Sequence, residues 1–301
     1  MILRDEINFS NVHIQSIKNK EFNKAQIIVD VLRLDKIHPI ISGNKWFKLK
    51  YYLQQAIEQN YNCVATFGGA FSNHLLATAY ACNKQNLSCI GFIRGEKPKM
   101  FSQTLFDAQA LDMQLEFVSR NDYSKQEKIT EANKNFFFIP QGGYGLTGVK
   151  GAAEILNLVN DLSIYNYIVC AVGTGTMLSG IANASLSHQQ CVGVIVMKNN
   201  FSLKDEIGML LSNEIFERIH LLHEYHFGGY AKHDDALIRF MNEMLLAHQL
   251  PLDFVYTAKA FYAICALAEK NFFKPQSQIL FIHSGGLQGN RSLIKKELLF
   301  S

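Results

Sequence analysis

Apolar residues fall along this chain in two patterns. Short runs such as Tyr-Ile-Val-Cys-Ala-Val at 167–172 have no charged or strongly polar member, and they alternate with longer stretches whose apolar positions recur every three or four residues. The short runs predict strands at 62–67, 88–93, 114–118, 135–139, 167–172, 192–196, 219–222 and 278–283, each bounded by Gly, Asn, Pro or polar residues. The periodic stretches predict helices at 46–58, 75–84, 149–158, 177–184, 234–248 and 258–270. Strand and helix in alternation predict the α/β class, with mainly parallel sheets flanked by helices.

A chain of 301 residues exceeds what a single core usually supports, so two lobes are expected. No repeat, low-complexity tract or Pro-rich linker divides the sequence, which implies that the chain leaves one sheet and later rejoins it. The expected division is a larger domain of residues 1–47 and 154–301 and a smaller one of residues 48–153.

Composition narrows the partners. Hydrophobic residues at 48% and charged residues at 18% describe a globular protein with a sizeable core. The net charge of +3 is not gathered into basic runs, which argues against nucleic acid. The acidic start Met1–Glu6 lacks a signal-peptide pattern and no apolar run approaches ~18 residues, so a cytoplasmic protein without membrane attachment is expected. Six cysteines with no Cys-x-x-Cys pair read as reduced core residues.

Four loops sit where ligands bind in open α/β sheets: Ser42–Lys45, Gly68–His74, Gly173–Thr176 and Ser284–Gly286. Gly173, Thr174, Gly175 and Thr176 follow an apolar strand and open a helix, so their N–H groups form an anion seat at the positive end of a helix dipole. Leu178 stands where a dinucleotide fingerprint needs its third glycine, and Lys198 where it needs an acid, which favours a phosphate monoester over NAD. Ser72 lacks the flanking glycines of a nucleophile elbow, Ala70 and His74 standing in their places, and a helix cap is the commoner role for Ser72 and Asn73. Lys45 follows an apolar lead-in and precedes Trp46, surroundings that would desolvate its amine and make it a nucleophile. The cluster His220, His223, His226 and His233 matches no metal-ligand spacing, so no metal is expected.

In order, the segments His38–Lys45, Gly68–His74, Ile139–Gly143, Val255–Lys259 and His283–Gly286 resemble the pyridoxal-phosphate-dependent family of 1-aminocyclopropane-1-carboxylate deaminase and D-cysteine desulfhydrase, of the tryptophan-synthase-β-like fold. The resemblance runs from about His38 to about Asn290 and implies a cleft between two lobes that holds pyridoxal 5'-phosphate, the larger lobe being the cofactor-binding domain. It implies that Lys45 carries the cofactor as a Schiff base and that Gly173–Thr176 take its phosphate. Asn73 would meet its phenolic oxygen and Ser284 its ring nitrogen. Ser72, Asn73, His74, Tyr230, Tyr256 and Thr257 would meet a small amino-acid substrate, with Lys45, Ser72 and Tyr256 catalytic. A homodimer is the family expectation. The family's deaminases have glutamate at the position of Thr257 and leucine at that of Ser284, whereas desulfhydrase-like members carry small hydroxyl residues. A hydroxyl cannot hold a full pyridinium charge, so the resemblance points to α,β-elimination of D-cysteine-like substrates. Cyclopropane ring-opening deamination and non-catalytic binding of pyridoxal phosphate or another phosphometabolite are the alternatives.

Overall fold

The computed structural model describes residues 6–293 together with Leu298 and Leu299. Its strands are β1 (Ile14–Ile17), β2 (Ile28–Leu32), β3 (Cys63–Gly68), β4 (Ser88–Arg94), β5 (Met113–Val118), β6 (Phe137–Ile139), β7 (Tyr167–Val172), β8 (Gln190–Ile195), β9 (Ile219–Leu222) and β10 (Gln278–Ile282). Six form one sheet in the order β1-β2-β10-β7-β8-β9, in which β1 runs antiparallel to β2 and every other pair is parallel. The other four form a wholly parallel sheet in the order β5-β4-β3-β6. Both sheets carry flanking helices, as the alternating pattern predicts.

Strand composition follows from burial on both faces. In β7, Ile168, Cys170 and Val172 face a core that also takes Val64 and Ile93 of the smaller sheet and the inner faces of the Asn44–Glu58 and Asn73–Lys84 helices. Tyr167, Val169 and Ala171 face a second core under the Asp235–His248 and Thr257–Glu269 helices. One continuous apolar cluster thus joins the two sheets. The far face of the smaller sheet is covered by a thin aromatic layer in which Phe67 stacks on Phe92 and Phe138, with the Tyr123 ring edge-on to it.

Two strands depart from the sequence pattern. β1 and β2 are not predicted, because Asp30 interrupts the apolar run of β2. Asp30 is nevertheless buried, accepting hydrogen bonds from Ser16 of β1 and from the Tyr165 hydroxyl. The predicted 149–158 helix is a helix over Leu146–Ala153 that tightens into a 3₁₀ turn over Glu154–Leu158. The six cysteines are free, and four of them are buried. No described helix is long and apolar enough to cross a membrane.

Candidate active site

Loops at the carboxyl ends of parallel strands converge on one cavity of about 190 Å³. Ser72, Asn73 and His74 arrive after β3, Arg94 at the end of β4, and Gln141 and Gly142 after β6. Gly173, Thr174 and Gly175 follow β7, and Ser284 and Gly285 follow β10. Asn44, Lys45 and Lys48 come from the first turns of the Asn44–Glu58 helix, and Tyr230 and Tyr256 complete the wall.

Backbone contact sets the position of Lys45. Gly43, at φ +61°, lies so close to the loop after β10 that an added Cβ would stand 1.9 Å from the Ser284 carbonyl oxygen. Asn44 N–H donates to that same oxygen at 3.3 Å. The lysine loop and the serine loop are thereby fixed to one another. Lys45 donates from Nζ to Asn44 Oδ1, and burial lowers its pKa to about 8, partly opposed by the Asp253 carboxylate.

Gly173–Gly175 form a turn in which Gly175 takes φ +79° and caps the Thr176–Ala184 helix. The first N–H groups of a helix have no intrahelical partner, so this is an anion seat. Lys48 supplies a second buried amine, donating to the Gly142 carbonyl at 3.2 Å. Burial and the neighbouring Lys45 push its pKa well down. Two buried amines and Arg94, with no carboxylate among the cavity's described lining, favour an anion there, whose charge would restore the protonated amines.

Several polar atoms at the cavity lack protein partners. Thr66 spends its hydroxyl proton on the Ile139 carbonyl at 2.8 Å, so it is the His74 Nε2–H that donates to Thr66 at 2.9 Å. His74 Nδ1 is then a bare acceptor, buried without a hydrogen bond, and burial keeps the ring neutral. Asn73 Oδ1 is likewise buried and unpartnered. Tyr256 and Tyr230 meet edge-on with ring centroids 6.1 Å apart. Burial raises both phenols, Tyr230 to about 12, so both remain neutral donors.

Two residues expected at the site do not line the cavity. Thr257 is fully buried one turn behind the wall, its hydroxyl donating to Asp253 Oδ1 at 2.7 Å, and it does not line the cavity. Asp253 also accepts the N–H groups of Val255, Tyr256 and Thr257, so Thr257 completes a helix cap. Thr176 is buried too, its hydroxyl 3.0 Å from that of Thr174. The sequence pattern does not single out Lys48, Arg94 or Asp253, and it includes Gln141 only within the Ile139–Gly143 segment, without a role of its own. Lys48 lies three residues after Lys45 and so shares its helix face, the one signal available. Of the four histidines, His220 pairs with Gln190, His226 Nδ1 accepts the Gly228 N–H, and His223 stacks on Phe201 while His233 meets Phe254 edge-on.

Comparison with known proteins agrees with this geometry. Residues 24–285 match the family of pyridoxal-phosphate dependent enzymes. The chain is 28% identical to a putative 1-aminocyclopropane-1-carboxylate deaminase of Thermotoga maritima, over 95% of this chain and 97% of that one. It is 28% identical to the mitochondrial bifunctional D-cysteine desulfhydrase/1-aminocyclopropane-1-carboxylate deaminase of Arabidopsis thaliana, over 83% of this chain and 70% of that one. The solved structure of an ACC deaminase homologue superposes with a TM-score of 0.80 at 26% identity, covering 93% of this chain and 90% of that one.

The cavity suits pyridoxal phosphate chemically. It offers an amine of lowered pKa for the aldehyde, a helix start and a buried amine for the phosphate, and unpartnered polar atoms for the ring substituents. The chain belongs to the pyridoxal-phosphate dependent enzymes, on the tryptophan-synthase-β-like fold, and is similar to relatives named as 1-aminocyclopropane-1-carboxylate deaminase and D-cysteine desulfhydrase.

Proposed function

We infer that the protein eliminates the β-substituent of a small amino acid, D-cysteine being the reference substrate, to give pyruvate, ammonia and sulfide with uptake of one water. Bound pyridoxal phosphate supplies the electron sink for negative charge developing at the substrate Cα. Lys45 holds the cofactor, and its amine, free above about pH 8, is the acceptor for the Cα proton. Gly173, Thr174 and Gly175 hold the phosphate through their N–H groups, with Lys48 as its counter-charge. The start of the Asn73–Lys84 helix, with Ser72, takes the substrate carboxylate on unpaired N–H groups, and His74 Nδ1 accepts from a bound donor. Tyr256 is the neutral phenol that protonates the departing sulfur.

One observation carries the choice of elimination: the cavity's described lining has the Ser284 hydroxyl and no carboxylate. Asp253, the nearest buried acid, has its oxygens engaged by the 255–257 backbone and Thr257. A ring nitrogen meeting only a hydroxyl keeps less positive charge, which suits loss of a good leaving group better than opening of a carbon ring. Holoenzyme given D-cysteine, L-cysteine and 1-aminocyclopropane-1-carboxylate in parallel should release sulfide and pyruvate from D-cysteine fastest. Faster formation of 2-oxobutyrate from the cyclopropane would replace elimination with ring opening.

A further inference from the structure

The cavity does not end at the residues above. Arg94 and Gln141 line it and also line an adjoining depression of about 500 Å³. That depression holds Arg94, Arg120, Lys125 and Lys128 against one acid, Glu127. Arg94 is exposed, and its guanidinium makes no hydrogen bond or ion pair among the described residues. Gln141 has its amide oxygen engaged by the Tyr123 hydroxyl at 3.0 Å and by Gln126 Nε2 at 3.3 Å. Those two donors fix the amide with its NH₂ end free of protein partners among the described residues.

Register places this second set of donors relative to the first. Gly68, the last residue of β3, pairs with Ile93 of β4, so Arg94 stands one position beyond the end of β3 and one strand to the side. Parallel neighbours are about 4.8 Å apart, so the Arg94 backbone lies roughly one strand spacing from the chain that leads into Ser72 and the helix start, and its side chain lines the cavity. An amino acid whose carboxylate sits on that helix start reaches such a distance with a side chain of three or four atoms. The far end of that side chain then meets a free guanidinium, a fixed NH₂ and a basic depression.

We propose that Arg94, assisted by Gln141, forms a subsite for a second anionic group, so that the preferred substrates are amino acids whose β-substituent ends in a carboxylate or a comparable anion. The proposal rests on the elimination reading for its chemistry but not for its binding test. In the reaction the Cα–H and Cβ–S bonds break, the anionic thiol departs, and water completes conversion to pyruvate and ammonia. Arg120, Lys125 and Lys128 draw the anion toward the opening by a field that salt screens.

The test uses two ligands of equal size that differ only in terminal charge, S-carboxymethylcysteine and S-carbamoylmethylcysteine, each in both hands. Binding to holoenzyme is read from the change in cofactor absorption, and turnover from pyruvate release. The acid should bind about two- to fivefold more tightly than the amide, the size of one solvent-exposed charge pair, and the preference should shrink with added salt. Arg94→Gln should bring the two dissociation constants together, and Arg94→Glu should reverse their order. Because the side chain is exposed, unchanged circular dichroism is expected in both variants. An acid-to-amide ratio untouched by Arg94→Gln overturns the proposal, and so does an equal loss for both ligands, which would assign the guanidinium to the α-carboxylate. Binding with the expected ratio but without pyruvate would sustain the subsite and remove elimination instead.

Discussion

Burial takes the Lys45 amine down to about 8, and the Asp253 carboxylate keeps it from falling further. The ammonium form loses more from desolvation than one carboxylate beyond the wall restores. Above about pH 8 the amine is free to attack a carbonyl or accept a proton, and below it the ammonium can do neither. In cofactor-free chain the acylation rate of Lys45, followed by peptide mass spectrometry, should therefore be half-maximal near pH 8, whereas an exposed lysine needs about 10.4. Asp253→Asn should move that midpoint to lower pH, because the group that raises the value is gone, while keeping a side-chain acceptor for the helix cap. A midpoint near 10 would show a solvated amine and remove the physical basis for its role. In holoenzyme, Lys45→Ala should reduce turnover by about 10²–10⁴-fold. The lead-in to Trp46 makes this desolvation legible in the sequence, and Trp46 is indeed buried. Lys48 is not legible in the same way, since a lysine on an amphipathic helix ordinarily faces water.

At the scale of elements, the site depends on how closely the start of the Asn44–Glu58 helix approaches the loop after β10. A methyl group at Gly43 would meet the Ser284 carbonyl carbon at 2.2 Å as well as its oxygen, in a backbone conformation that L side chains disfavour. Gly43→Ala should therefore destabilise the fold by about 1–3 kcal/mol and cost about a hundredfold in turnover, since it separates Lys45 from Ser284. Gly208→Ala is the control: nothing lies within 4 Å of a Cβ there, and the residue ends a short helix at ordinary φ. Equal behaviour of the two variants would show that the loops are not held by this contact. The elements most legible in the sequence are those buried on both faces, such as β7 and β10, because only a strand covered from both sides keeps so short a run free of polar residues. β2 escapes because its interruption, Asp30, is answered by Ser16 and Tyr165, the latter 135 positions away. The site divides in the same way. Glycine loops at strand ends announce themselves, while Arg94 and Gln141 gain meaning only from the register of β4 and β6 against β3.

For the molecule as a whole, the cavity collects charge that the apolar core between the sheets cannot neutralise. Lys45 and Lys48 both have pKa values lowered by burial, and Lys45 further depresses Lys48 and His74. A lysine with a folded-state value near 8 and an unfolded value near 10.4 binds fewer protons when folded across that interval. Stability must then rise with pH through the interval, and the penalty is fully present below about pH 8. Lys259, buried with a value also near 8 and donating to the Gly229 carbonyl, contributes the same trend away from the cavity. On the proposed reading, bound pyridoxal phosphate would alter only the cavity's share, its phosphate raising the pKa of Lys48 so that the folded holo chain keeps a proton there. Cofactor-free chain should therefore gain stability between pH 7 and 9, and holoenzyme should gain less. At a cofactor concentration about 100 times its dissociation constant, binding adds about 2.7 kcal/mol, or roughly 4 °C in Tm for a chain of this size. Melting curves of both forms at pH 7, 8 and 9 measure the two effects together. The interval between their Tm values should be widest at pH 7 and narrow toward pH 9. An interval that stays constant would mean that the buried lysines carry no charge for the cofactor to neutralise, and Lys48 would lose its place as the phosphate's counter-charge.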